Sequence, residues 1–82
     1  MVIPTRRGTE FESMDGKMDG RVRMQTLPMV GARIIVDLFD STIKDGNEAH
    51  LVSKFYKWTE DGADEATMFL QKKGFRVVVL LK

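Results

Sequence analysis

The stretch Asp61-Gly62-Ala63-Asp64-Glu65-Ala66-Thr67-Met68-Phe69-Leu70-Gln71-Lys72-Lys73-Gly74, followed by Phe75-Arg76-Val77-Val78-Val79-Leu80-Leu81, decides the fold. Ala63, Ala66, Phe69 and Leu70 recur at helical spacing and share one face. Asp61, Asp64 and Glu65 open the segment and Lys72 and Lys73 close it, each sign where the helix dipole favours it. Gly74 suits the left-handed position just past a helix end, and Phe75 falls where a Schellman motif sets an apolar contact, against Leu70. These signals predict a helix over 63–73 and a strand over 75–81. The strand is apolar on both faces and needs cover on both, whereas the chain supplies one firm helix. The mismatch implies a second copy or a partner, with Val77, Val79 and Leu81 at a dimer seam.

Upstream, Val22, Met24 and Thr26 alternate with Arg21, Arg23 and Gln25, which predicts a strand with one wet, basic face. Its hairpin partner is 10–13, the turn being closed by one of two Asp-Gly pairs, Asp15-Gly16 or Asp19-Gly20. Pro28 interrupts pairing and Gly31 restarts the chain. Ala32–Phe39, β-branched at Ile34, Ile35 and Val36, is a further strand. Lys44-Asp45-Gly46-Asn47 signals a turn. Ala49–Trp58 reads two ways. As a helix it gathers Leu51, Val52, Phe55 and Trp58 on one face. As a strand its alternation is poor, but its β-branched and aromatic content and the preceding turn favour pairing with 32–43. The strand reading is adopted. The fold class is α+β: a mainly antiparallel sheet of four to five strands, one helix (63–73) packed on one face, and a final strand 75–81. Residues 1–9, with Pro4, Arg6, Arg7 and Gly8, are expected to form a flexible N-terminal arm, and 10–82 a single small domain.

Thirteen basic and twelve acidic residues nearly cancel. That excludes the large basic excess of a dedicated duplex-binding module and the acidic excess of a nucleic-acid mimic. Five of the six arginines lie within the first 33 residues. The chain has no cysteine, hence no disulfide, thiolate metal site or thiol catalysis. Met1–Phe11 lacks the basic-then-apolar pattern of a signal peptide. No apolar run approaches the roughly 20 residues of a membrane span. A cytoplasmic protein without a membrane partner is expected.

His50 is the sole histidine, and a general base needs an orienting acid and a nucleophile nearby. Asp37, Asp40 and Glu48 are the candidate acids and Ser41, Thr42 and Ser53 the candidate nucleophiles, but none sits in a nucleophile elbow. Asp15-Gly16-Lys17-Met18-Asp19 does not supply the ligand pattern of a calcium loop. The glycines form no phosphate-binding fingerprint. No catalytic residue, metal ligand or cofactor is assigned.

Lys54-Phe55-Tyr56-Lys57-Trp58 interleaves bases and rings, the combination single-stranded nucleic acid exploits by stacking and phosphate contact. With the basic strand it defines the partner-binding set Arg21, Arg23, Lys54, Tyr56, Lys57 and Trp58. Met14, Met18, Met24 and Met29 cluster in the N-terminal half and suit an adaptable contact surface. The expected function is a small non-catalytic protein-interaction module. It would be a homodimeric accessory or inhibitor-type regulator, of the kind phages and mobile elements carry. The alternative is a single-stranded nucleic-acid binder using a basic and aromatic sheet face.

Overall fold

The computed structural model describes residues 9–42 and 49–77. Four strands, β1 (Thr9–Glu12), β2 (Met18–Leu27), β3 (Gly31–Asp40) and β4 (Ala49–Lys57), pair antiparallel in sequence order, and helix α1 (Glu60–Lys72) packs on one face. The architecture is α+β. The expected 1–9 arm falls outside the described residues except for Thr9, which opens β1.

The β1–β2 turn uses the first Asp-Gly pair. Asp15 Oδ1 accepts from the Ser13 hydroxyl (2.7 Å) and the Lys17 amide (3.0 Å), and Gly16 takes φ 72°. The second pair lies within β2, where Gly20 serves another end. A Cβ there would stand 3.0 Å from the Phe75 ring, so the missing side chain makes room for Phe75. The β2–β3 hairpin pairs Leu27 with Gly31 across Pro28-Met29-Val30. Met29 adopts φ 65° and is fully exposed.

Ala49–Lys57 is a strand, as its composition favours. Phe39 pairs with His50 and Leu38 with Val52, so Leu51 is an extra residue, a β-bulge. Burying alternate β4 residues against α1 outweighs the local helical periodicity.

The helix begins slightly earlier than predicted. Thr59, in extended geometry, caps it by accepting from the Gly62 amide (3.1 Å), and Glu60 and Asp61 occupy the first turn. Its end follows the expected motif. The Phe75 amide donates to Leu70 O and the Gly74 amide to Gln71 O, both at 3.0 Å, with Gly74 at φ 95°.

One core forms between sheet and helix. Val22, Ile34, Val36 and Leu38 from the sheet meet Ala63, Ala66 and Leu70 from α1, and Phe75 and Val77 join from the segment beyond it. Full burial of each large side chain contributes about 1.5–3 kcal/mol. Phe75 closes over the β2 end that α1 leaves bare. The Met14 amide donates to Gly74 O (2.9 Å) and Gln71 Nε2 to Val77 O (2.8 Å), fixing this segment in place. Residues 75–77 are not in a strand, and 78–81 lie outside the described residues.

Candidate binding face

Strand alternation sends one set of side chains to α1 and the other to the opposite face, which no helix covers among the described residues. The register arranges that open face in rows across the strands. From the Pro28–Val30 turn outward they read Gln25–Arg33–Lys57, Arg23–Ile35–Phe55, Arg21–Asp37–Ser53 and Asp19–Phe39–His50; β1 adds Glu10 beside Arg21 and Glu12 beside Asp19.

The face shelters its own apolar atoms. Ile35 is only 2 % exposed although none of the described elements lies over it. The Arg33 guanidinium stacks 4.0 Å from the Phe55 ring centre while its Nε donates to Gln25 Oε1 (2.7 Å). Arg21 stacks at 5.6 Å on Phe39 and pairs with Glu10 at 2.8 Å. Arginine is weakly hydrated and planar, so it can lie on rings while its charge stays wet. Phe55 is still 53 % exposed.

Charge on this face is segregated. Arg23, Arg33 and Lys57 occupy the half nearest the turn, with no acid among them. Glu10, Glu12, Asp19 and Asp37 occupy the other half, with Arg21 and His50. A hollow of about 250 Å³ sits at the acidic end, lined by Glu10, Glu12, Asp19, Arg21 and Phe39 among others.

His50 does meet one of its predicted acids. Its Nε2 lies 3.1 Å from Asp37 Oδ1, and its ring leans on Phe39, 5.1 Å between centres. The Ser53 hydroxyl donates to the same Asp37 oxygen at 2.7 Å. The carboxylate therefore sits between the two, and the serine is held by the acid and not by the imidazole. Asp40 instead binds the amide and hydroxyl of Thr42. Glu48 lies outside the described residues. Among the described residues no group of three His, Cys, Asp or Glu side chains is gathered to hold a metal. No described helix is long and apolar enough to cross a membrane.

The six residues of the predicted partner-binding set are divided between the two faces. Arg21, Arg23 and Lys57 belong to the open face. Lys54 and Tyr56 alternate to the helix side: the Lys54 ammonium sits 4.7 Å over the Phe69 ring, and Tyr56 and Trp58 pack against the core. Burial, then the nearby Glu65 charge, pushes the Tyr56 phenol above its ordinary pKa. Tyr56, Lys57 and Trp58 do share a groove of about 510 Å³ at the turn end, with Leu27, Val30 and Phe55. Arg33, Phe39 and Phe55 are among the open-face residues that the sequence did not single out. The register of β3 against β2 and β4 is the signal that places them there.

Of the expected seam, Val77 is 3 % exposed within the protein's own core, and Val79 and Leu81 lie outside the described residues. The methionines do not gather. Met18 and Met24 lie on the helix side of β2, while Met14 and Met29 stand exposed in turns at opposite ends of the sheet.

No family model matches the chain, and neither a curated protein nor a solved structure matches it.

Proposed function

We propose that the chain is a small, non-catalytic protein-interaction module of the accessory or inhibitor type, acting by contact through the open face of its sheet. The supporting observation is the face itself: a half-exposed Phe55 with Arg33 stacked on it, ringed by further charged side chains, on the side away from α1. Arginine and aromatic residues, phenylalanine included, are enriched at binding interfaces, and arginine is among the residues enriched in hot spots. Placing a photo-crosslinking phenylalanine at position 55, and separately at Met68 on the exposed side of α1, tests it. Protein adducts concentrated at position 55 are expected. Adducts at position 68 with none at 55 would overturn the reading.

A second reading, single-stranded nucleic-acid binding, has one observation in its favour. Arg23, Arg33 and Lys57 share the half of the face that holds exposed Phe55, so a ring for stacking stands among cations. Four acids on the other half repel a phosphate backbone, which places this reading second. Oligonucleotide would quench Trp58 fluorescence, with affinity falling steeply as salt rises. Unchanged emission at low salt removes it.

A further inference from the structure

Among the described residues the open face carries three cations at one end and, at the other, four acids against Arg21 and His50. With neutral histidine the halves stand at +3 and −3. Among the described residues half of these eight charges are not engaged by another side chain. Among the described residues the side chains of Arg23, Lys57, Glu12 and Asp19 make no hydrogen bond or ion pair, whereas Arg21–Glu10 and His50–Asp37 are paired. The unspent charge is therefore positive near the Pro28–Val30 turn and negative at the far end. This pattern is complementary to itself. A two-fold axis lying between two such faces, running across the strands at mid-sheet, sets each basic half over the acidic half of the other copy.

We infer that the occupant of the open face is a second copy of this chain, docked face to face about that axis. The inference rests on the interaction reading above and names its partner. Two further features fit it. The hollow at the acidic end gives the arginine or lysine side chains of the other copy a recess to enter. The required area is modest: a standard interface takes about 800 Å² from each partner, about one-seventh of this protein's 5577 Å² surface. Because charge rather than apolar area sets the register, the contact is salt-sensitive, and the orientation with like halves together is excluded by repulsion.

Two double variants test the register. Arg23→Glu with Lys57→Glu makes both ends of one copy acidic; Glu12→Lys with Asp19→Lys makes both ends basic. None of these side chains belongs to the core, and circular dichroism checks that each variant folds. Sedimentation of the native chain is expected to give a dimer that dissociates on adding salt. Each variant alone should associate at least about tenfold more weakly. An equimolar mixture should recover the dimer, since both of its contacts then join opposite charges. A native chain that stays monomeric at about millimolar concentration, a variant that dimerises as tightly as the native chain, or a mixture that stays monomeric would each overturn the inference. A native monomer whose position 55 still crosslinks to a different protein removes the second copy and leaves the interaction reading standing. A monomer with no adduct at 55 removes both.

Discussion

The carbonyl oxygen of Lys57 occupies the space that a Cβ on Gly62 would need. The first turn of α1 rests directly on the end of β4, backbone against backbone, which sets the angle at which the helix crosses the sheet. Gly62 is buried and its requirement is steric; positive φ plays no part. Gly62→Ala should destabilise the protein by about 3 kcal/mol, the upper end for overpacking, because a peptide carbonyl cannot swing aside as a side chain can. Thr59→Ala, which removes only the cap, should cost about 1 kcal/mol. Urea titration of both variants checks the order.

Met29 holds a left-handed backbone conformation with its side chain wholly in solvent, so it bears the strain of a non-glycine residue without any packing in return. Met29→Gly should raise stability by about 0.5–1 kcal/mol. A fall in the urea midpoint would show that the turn depends on the methionine.

Ile35 lies on the face without a helix and yet is dry. Ile35→Ala should cost about 2–4 kcal/mol, as for an interior site, and Ile35→Val about 1 kcal/mol. A cost below about 0.5 kcal/mol, typical of a surface position, would contradict the sheltering assigned to the arginine and phenylalanine side chains around it. Thermal or urea unfolding measures it.

Phe75 belongs to the core of its own chain. Phe75→Ala should cost about 3–5 kcal/mol, and Gly20→Ala about 1 kcal/mol as the ring gives way by a few tenths of an ångström. In the combined variant the two losses should fall short of their sum, because the space that the ring vacates accommodates the new methyl.

Two aspartates make stability depend on acid. Hydrogen bonds from the Lys17 amide and the Ser13 hydroxyl lower the Asp15 pKa, and bonds from the Thr42 hydroxyl and amide lower that of Asp40. Each folded-state pKa lies below its unfolded value, so the unfolded chain binds more protons between the two. Their contribution is complete above the ordinary aspartate range and is lost as pH falls through the depressed values. Urea midpoints from about pH 5 to about pH 2 should drop less steeply in Asp15→Asn and Asp40→Asn than in the native chain.

The elements written in local signals were legible. The dipole charges and Gly74 announced α1 and its end, and β-branched Ile34, Ile35 and Val36 announced β3. What needed the register was not. Lys54 and Lys57 look alike in sequence, yet three residues along a strand place them on opposite faces. The rings of Tyr56 and Trp58 suit recognition and in sequence group with Arg21 and Arg23, but alternation turns Tyr56 toward α1. The two Asp-Gly pairs are equivalent as turn formers, and only Phe75, some 55 residues beyond Gly20, distinguishes them. The demand of the C-terminal apolar run for cover is met in part internally, since Phe75 packs over Gly20 of β2 and Val77 is buried in the same core.

The bulge at Leu51 bears on how this protein survives at high concentration. Among the described residues β4 is an outer margin, and a long regular margin templates the growth of fibrils. The offset between Leu38 and Phe39 breaks the even spacing of amide groups along it. An incoming strand would find two short, mismatched footholds where a continuous one would be needed. Restoring regular spacing by deleting Leu51 would turn that guarded margin into a site for ordered aggregation.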